Sequence, residues 1–443
     1  MAVDGAHEQQ GRPLPSTGAI TGVLEALQFF QDSAFATKRF ERYGNVFETR
    51  LLGQPLVFIR GEQAIRDLSR EPQACSGWWP ESVRRLLGSR SLANRSGEGH
   101  KARRRVVGQL FSASALRRYA PAIVAKVNEL AAALQNSHEP MRLVDGMRRF
   151  AFGVIAEVVL GLEPSESVVL FSDFELWSRA LFSLPLALPG SPFALALQAR
   201  ERLLQRMREL LQRPERSGGL DLLSGGLDEQ GQPLQAEDLV EQLLLLLFAG
   251  YETTASALSC LMTALLQQPE QMAWLNEELQ QLPWPPDAAQ ATSAYEREPA
   301  PRLNALVLEV MRLNPPVGGF FRRLNQELLL DGVLVPAGRV VQVSLIGTHR
   351  ISTGPATDLE QFRPQRHLEP AASDLTVLPY GTGERACLGK ALAELEIRLM
   401  VVGLLKQVQL VLNPDQNLSL QLVPSPSPRD GLLVQSATSS SIR

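Results

Sequence analysis

The most informative segment of this 443-residue chain is Leu378-Pro-Tyr-Gly-Thr-Gly-Glu-Arg-Ala-Cys-Leu-Gly389, which a helix-like run follows from Lys390. One interpretation uses Gly381-Thr-Gly383-Glu-Arg-Ala386, which fits the loose G-x-G-x-x-A fingerprint of dinucleotide-binding folds after a predicted strand at Leu375 to Tyr380. Such a fold needs a whole parallel sheet. The preceding sequence is largely helical in pattern and little chain follows, which weakens this interpretation.

A second interpretation rests on Cys387, which falls at a predicted helix start, where amide N–H groups and the helix dipole stabilise a thiolate. An anionic sulfur can hold haem iron and push electron density towards the opposite ligand, while glycines let the backbone approach the porphyrin closely. Arg385 would then neutralise a haem propionate. A buried structural cysteine is the alternative, because that is the usual fate of a lone Cys.

Composition describes an ordinary globular protein. Hydrophobic residues make up 44% of the chain and charged residues 21%, with a formal net charge of -3, so no nucleic-acid partner is indicated. Cys75, Cys260 and Cys387 are far apart and odd in number, which argues against a disulfide framework and for a reducing compartment. No Cys or His pair has the close spacing of a structural zinc site.

The N-terminal residues lack the basic and apolar regions of a signal peptide. The longest apolar stretch, Leu243 to Gly250, is far shorter than the ~20 residues of a spanning helix. These features predict a cytoplasmic protein without a transmembrane segment and leave peripheral membrane contact open.

Helical periodicity dominates the chain, and strand-like runs are fewer and shorter. The pattern predicts one mainly α domain with small β-sheets over residues 1–435 and a frayed tail at 436–443. The predicted helices are Ala115 to Leu134, Gln198 to Gln212, Glu237 to Gln267 and Arg302 to Leu313. The predicted strand regions are Val46 to Ile59, Leu328 to Val335, Val340 to Leu345 and Val408 to Leu412.

The segment Tyr380-Gly-Thr-Gly-Glu-Arg-Ala-Cys-Leu-Gly389 resembles the haem-binding signature F-G-x-G-x-R-x-C-x-G of the cytochrome P450 family. The resemblance implies the P450 fold, haem b with Cys387 as its iron ligand, and monooxygenase activity that uses O2. Tyr380 replaces the family's Phe. This change keeps an aromatic ring beside the sulfur and adds a hydroxyl that needs a partner.

The second motif is Ala249-Gly-Tyr-Glu-Thr-Thr254, which interrupts an apolar helix with an acid and hydroxyls. Such an interruption is costly unless it is paired. Gly250 removes bulk and Thr253 can hydrogen-bond a preceding carbonyl, which would open the helix groove for water. The motif resembles the family's oxygen-activation motif, which implies that Thr253 bonds the oxygen species and Glu252 relays protons. A solvent-facing strip on an amphipathic helix is the alternative.

Glu309 and Arg312 stand at helical i,i+3 spacing, a pattern that is ordinarily a surface ion pair. In P450s this pair meets a later arginine in a buried network. The segment Phe362-Arg-Pro-Gln-Arg-His367 resembles the family's P-x-R segment, which makes Arg366 the expected third member of the triad.

Three further residues are expected to bind haem propionates by the same resemblance. His100 and Arg104 lie in a segment that resembles the family's propionate-binding helix, and Arg322 follows a Pro-rich turn. For His100 and Arg104 a solvated basic face is the alternative.

Several segments resemble the retinoic acid hydroxylases and their bacterial relatives, which implies a long, apolar, carboxylated isoprenoid substrate such as a retinoid or apocarotenoid. Phe320 stands where those enzymes more usually have glycine, so the pocket over the haem is expected to be narrower. The expected pocket walls are Trp78, Trp79, Phe182, Val317 and Phe320, although such aromatic residues are more often plain core.

The chain contains no flavin or iron–sulfur domain, so an external donor is expected, namely a ferredoxin with its reductase. An acidic ferredoxin would meet a basic patch, for which a solvated face is the alternative. The patch candidates are Lys101, Arg103, Arg105, Arg117 and Arg118. A peroxide-using enzyme and a thiolate-haem sensor without turnover remain alternative functions.

Overall fold

A computed structural model describes residues 11–18, 25, 28–29, 32, 34–51, 54–181, 183–214, 217–354 and 358–437. The described chain divides into two compact units. The sheet unit takes the described parts of residues 1–78, 318–355 and 375–386, and the helical unit takes those of 79–317, 356–374 and 387–443. Most of the predicted tail, from residue 438 onward, lies outside the described residues, and the single-domain boundary stays a prediction.

Helices dominate the described residues and the sheets are small, which confirms the predicted fold class. The α-helices are α1 Phe35–Tyr43, α2 Glu62–Arg70, α3 Glu81–Leu87, α4 Gly97–Gly108, α5 Ala113–Asn136, α6 Leu143–Gly153, α7 Pro164–Arg179, α8 Pro192–Leu211, α9 Ala236–Gln267, α10 Pro269–Leu279, α11 Pro301–Leu313, α12 Leu345–His349 and α13 Lys390–Gln407. The strands are β1 Val46–Leu51, β2 Gln54–Ile59, β3 Cys75–Gly77, β4 Met141–Arg142, β5 Gly319–Leu324, β6 Leu328–Leu330, β7 Val333–Val335, β8 Val340–Ser344, β9 Leu410–Leu412, β10 Leu420–Gln421, β11 Ser427–Pro428 and β12 Leu433–Ser436.

The sheet unit is built on a five-stranded sheet with the order β1-β2-β8-β5-β3. Strands β2 and β8 run parallel, with Ile59 opposite Val343, and the other pairs are antiparallel. One sheet face buries an aliphatic cluster that includes Val57, Val341 and Val343, none of which is exposed. The β-branched residues suit a pleated, buried surface.

Two of the predicted strand regions each contain two strands, because the run folds back on itself. Val46 to Ile59 forms the antiparallel hairpin of β1 and β2, and Leu328 to Val335 forms the hairpin of β6 and β7. Asp331 and Gly332 have φ of 47° and 72° in the second turn. Positive φ at both central residues is the geometry of a two-residue type I′ turn, which an Asp-Gly pair favours.

The helical unit is organised around α9, which is the longest helix in the described chain. Its length follows from a rise of about 1.5 Å per residue. It packs against α6, α8, α11 and α13. By length and composition α9 could cross a membrane, but 67% of its most apolar window is buried. Helix α9 therefore reads as a core helix of this unit.

The four predicted helices are confirmed, with ends that differ by two residues or fewer except at the start of α8. That helix begins at Pro192, six residues before the predicted start, with the Ser191 hydroxyl accepting the Ala194 N–H. Pro at the first helical position and Ser at the N-cap are both favoured there. A π-helical turn over Val154–Val159 continues α6 and packs beside α9.

Candidate active site

The cysteine loop, residues 375–389, contains two tight turns that explain its glycines. Gly381 N–H donates to Leu378 O at 2.9 Å, and Ala386 N–H donates to Gly383 O at 3.0 Å. Gly381 and Gly383 have φ of 67° and 71°, a region that side chains rarely adopt. Residues 375–380 form no strand beyond one bridge between Leu375 and Ser352. The dinucleotide interpretation therefore lacks its required sheet.

Cys387 stands just before α13 and is the exposed one of the three free cysteines. Its sulfur is open to solvent on one side, yet surrounding protein atoms are dense enough that burial raises the pKa of the thiol. The Gly389 N–H and the positive charge of Arg104 oppose this effect and lower the pKa. An accessible sulfur with a backbone donor and a nearby cation can serve as a metal ligand.

The other two cysteines lack this combination. Cys260 is buried, its sulfur lies 3.4 Å from Pro426 O, and burial raises its pKa to about 12. Cys75 is half-buried, and burial raises its pKa as well. The alternative of a buried structural cysteine thus describes Cys260 well and Cys387 poorly.

Two predicted propionate ligands, Arg322 and Arg385, lie close together in the sheet unit. Burial, and then the charge of Arg385, lower the pKa of Arg322 to about 10. A Cβ on Gly77 would lie 2.6 Å from Arg385 Nη1, so a side chain there would require this guanidinium to move. Two neighbouring, partly buried cations favour an anionic partner, and a haem propionate fits that requirement.

His100 and Arg104 lie one turn apart on α4 in the helical unit. His100 is 2% exposed and Arg104 is half-buried, so a solvated basic face is wrong for this pair. Arg104 also lies close enough to Cys387 to lower the pKa of its thiol. Within the helical unit, the accessible thiol of Cys387, the Gly389 N–H and the half-buried Arg104 form a set that suits an iron porphyrin with carboxylate groups.

The polar motif of α9 holds Thr253 in the hydrogen bond that the sequence predicted. Thr253 Oγ1 donates to Ala249 O at 2.7 Å. Gly250, however, does not leave an open groove, because a Cβ there would lie 2.5 Å from Cγ1 and Cδ1 of Ile155. The expectation that Gly250 admits water is therefore corrected. Its missing side chain makes room for Ile155 of the π-helical turn.

We expect Gly250→Ala to destabilise the protein by about 1 to 2 kcal/mol, because overpacking outweighs the better helix propensity of alanine. Urea unfolding followed by circular dichroism measures this effect. In the double variant Gly250→Ala/Ile155→Ala the added methyl finds space. A coupling energy near zero between the two sites would contradict this packing account.

Glu252 is held by a partner that the sequence analysis did not identify. Its carboxylate accepts a hydrogen bond from Arg148 Nη2 of α6 at 3.1 Å, and both side chains are largely buried. Burial lowers the pKa of Arg148, but the negative charge of Glu252 and its hydrogen bond raise it, and the net effect is an increase. Arg148 therefore stays charged and fixes the Glu252 carboxylate one residue from Thr253.

Glu309, Arg312 and Arg366 are brought together in the helical unit. Glu309 accepts from Arg312 Nε at 2.8 Å and from Arg366 Nε at 3.0 Å, and Glu309 and Arg312 are 0% exposed. A fourth member, which the sequence pattern does not indicate, is His367, whose Nε2 lies 2.8 Å from Glu309 Oε2. Arg363 N–H also donates to Glu309 at 2.9 Å. Although burial raises the pKa of Glu309, these bonds lower it to about 2.

Of the five residues predicted to form a basic patch, Arg103 is buried and the other four are exposed. Arg103 is 4% exposed and pairs with Glu229 and Asp238, because it packs inward from α4. Lys101 pairs with Glu98 and Arg118 with Asp221. Arg105 and Arg117 remain exposed.

The residues predicted to line the pocket do not belong to a single described helix or strand. Trp78 packs edge-on against Phe321 at 5.3 Å in the sheet unit, where the Arg322 guanidinium lies 4.5 Å from the Phe320 ring centre. Trp79 is half-buried and Val317 is 45% exposed in the helical unit. Phe182 lies outside the described residues. These wall assignments stay predictions.

Glu396 of α13 is a buried acid that the sequence pattern did not indicate. It is 1% exposed, its Oε2 has no hydrogen-bond partner within the described chain, and burial raises its pKa well above the usual value. Burial therefore favours the protonated form of this side chain, on the helix that follows Cys387.

Comparisons with known proteins match most of the chain. A family model described as Cytochrome P450 matches residues 12–188 and 192–435. A relative from Synechocystis sp. (strain ATCC 27184 / PCC 6803 / Kazusa), named Putative cytochrome P450 120, is 35% identical over 421 residues, which cover 93% of this chain and 94% of the relative. Cytochrome P450 26B1 of Danio rerio is 33% identical over 424 residues, which cover 92% of this chain and 83% of the relative.

Solved structures give the same result. The structure titled "Retinoic acid bound cyanobacterial CYP120A1" superposes with a TM-score of 0.87 at 33% identity, and it covers 96% of this chain and 99% of that chain. A P450 titled CYP102L1 superposes with a TM-score of 0.80 at 19% identity, which supports the fold alone.

Proposed function

Because this chain belongs to the cytochrome P450 family, we propose that it hydroxylates a retinoid or apocarotenoid with electrons from a separate ferredoxin. Membership makes the chain a haem b monooxygenase that uses O2, an external electron donor and a hydrophobic substrate. The observation that carries the substrate proposal is the close structural likeness to a protein whose title names bound retinoic acid.

Each site residue has a proposed role in this reaction. Cys387 would hold the haem iron through its sulfur, and His100, Arg104, Arg322 and Arg385 would bind the propionates. The bound haem supplies the activation of O2 from which one oxygen atom enters the substrate.

The acid and hydroxyl of α9 would control protons. Glu252 would accept a proton from solvent at its carboxylate and pass it towards the Thr253 hydroxyl, while Arg148 holds the carboxylate in place. Thr253 Oγ1 now donates to Ala249 O and can rotate away to donate elsewhere. A peroxide-using enzyme would need neither residue, so the pair favours O2 with a reductant. Product formation with peroxide alone would reverse that preference.

We expect Thr253→Val to lower product formation by a factor of roughly 10 to 100 while O2 consumption continues, because proton delivery loses its hydroxyl. Thr263→Val is the matched control, since Thr263 Oγ1 donates to the carbonyl four residues earlier, Ser259 O, at the same 2.7 Å on the same helix. Product formed per O2 consumed measures the effect. Equal losses in both variants would reduce Thr253 to a structural role.

The substrate proposal is tested by titrating the oxidised protein with retinoic acid, retinol, an apocarotenoid acid and a fatty acid of similar length. We expect a spin-state shift and hydroxylated product with the isoprenoid acids, and weaker binding of retinol and the fatty acid. A spectrum that stays unchanged with every isoprenoid would overturn the substrate class. Spectral binding without product under reductant and O2 would favour a sensor.

The proposal also covers the electron donor and the location of the enzyme in the cell. Among the patch candidates Lys101, Arg105, Arg117 and Arg118 are exposed, and through them an acidic ferredoxin would be attracted, which would mainly raise the encounter rate. The buried character of α9 supports a cytoplasmic enzyme without a spanning helix.

A further inference from the structure

We propose that His349 is a positioning residue for the cysteine loop, which it holds at Leu378 so that Cys387 is presented for iron binding. This inference rests on the proposed role of Cys387 as the haem ligand. His349 ends the short helix α12, which directly follows β8 in the sheet unit. It is 1% exposed, so its imidazole is part of the packed interior rather than a surface group.

The contact between His349 and the loop is a direct hydrogen bond. Leu378 N–H donates to His349 Nε2 at 2.9 Å, across 29 residues of sequence. A backbone N–H can only donate, so Nε2 must accept. The imidazole is therefore neutral, with its proton on Nδ1. Protonation of Nε2, or its replacement by carbon, would leave a partly buried amide without this acceptor.

Leu378 is the point at which the loop is fixed in three ways. Its N–H is held by His349, its carbonyl accepts the Gly381 N–H at 2.9 Å, and its side chain packs against the aliphatic cluster of the sheet unit. The first tight turn of the loop starts at this residue. Upstream, the bridge between Leu375 and Ser352 ties the loop to the segment after His349.

The nine-residue path from Leu378 to Cys387 transmits this fixed point to the sulfur. Gly381 and Gly383 are turn residues with positive φ, so the path depends on successive turns rather than on a regular element. A shift of Leu378 would rotate the first turn and displace Arg385 and Cys387, because no strand ladder holds residues 376–386. His349 thus acts on the ligand through the backbone and not by contact with it.

The test uses three variants of the full-length chain reconstituted with haem. His349→Leu removes the acceptor, and His349→Gln returns an oxygen acceptor at similar reach. Thr348→Val is the matched control. Its neighbouring hydroxyl is also buried, accepting the Gly61 N–H at 3.0 Å and donating to Ser344 O at 2.7 Å, but it makes no hydrogen bond to the cysteine loop. The readouts are the reduced carbon monoxide spectrum and hydrogen exchange of the peptide covering residues 375–387.

We expect His349→Leu to lower the ratio of the thiolate band near 450 nm to the shorter-wavelength band by about fivefold or more, with faster exchange of the loop amides. His349→Gln should recover most of both, and Thr348→Val should match the wild type. If the band ratio of His349→Leu equals that of the wild type, or if it falls equally in Thr348→Val, the role of His349 is overturned and the assignment of Cys387 is unaffected. A wild-type protein without the thiolate band overturns the ligand assignment, and this inference with it.

Discussion

Replacing Cys387 by serine is expected to abolish the reduced carbon monoxide band near 450 nm and to reduce substrate hydroxylation to background. The neutral hydroxyl of serine cannot supply the thiolate charge that this band and O–O cleavage require. In this variant the Gly389 N–H, which lowers the pKa of the thiol in the wild type, would no longer have the sulfur as its partner. Absorption spectra of the reconstituted protein and product analysis with a chemical or enzymatic electron supply measure both effects.

Cys75→Ser is the matched control for this experiment, because Cys75 is a half-buried free thiol in the sheet unit. The control is expected to keep the band and the activity. If the thiolate-type spectrum survived in Cys387→Ser but vanished in Cys75→Ser, the ligand would be Cys75 and our assignment of Cys387 would be wrong. Protein that stays colourless after haem supplementation in every form would end the haem interpretation of this loop.

Glu309→Gln is expected to cost about 3 to 5 kcal/mol of unfolding free energy at pH 7, because the buried Arg312 and Arg366 lose the carboxylate between them and Arg366 keeps only its ion pair with Asp358. Most of this loss depends on pH. The Glu309 pKa lies at about 2 in the folded protein against a usual value of 4.5. A lowered acid pKa stabilises the folded state above pH 4.5, and this stabilisation disappears as pH falls from 4.5 to 2.

The pH-dependent part is about 3 kcal/mol, since each pKa difference of one corresponds to about 1.4 kcal/mol. The gap in urea-unfolding free energy between wild type and Glu309→Gln should therefore narrow between pH 5 and pH 3. Glu81→Gln is the control, because Glu81 and Arg84 have the same i,i+3 spacing on an exposed helix face and contribute about 0.3 kcal/mol. A gap that stays constant with pH would contradict the ionised, buried Glu309.

Local patterns in the chain were sufficient where the physics is local. The apolar spacing of α9 predicted a helix whose ends agree within one residue. The pattern did not show where a run of strand residues is divided by a turn. The Asp331-Gly332 pair divides such a run into two strands, and alternation alone does not reveal the reversal.

The charged residues show the limit more sharply. Glu309 and Arg312 share their i,i+3 spacing with Glu81 and Arg84, yet one pair is fully buried and the other is exposed. Spacing fixes which side chains meet along a helix, but burial depends on what packs against that face. Arg103 was predicted as part of a surface patch and instead lies inside, paired with Asp238 from a helix 135 residues away in sequence.

Short sequence patterns were enough to predict the fold class, the cysteine loop and the polar interruption of α9, because each depends on backbone geometry and on periodicity within a few residues. The partners that hold these features could be identified only from the folded chain, namely His367 at Glu309, Arg148 at Glu252, Ile155 at Gly250 and His349 at Leu378. Each of these partners comes from a different element, and such long-range contacts are set by packing, which no short window of sequence contains.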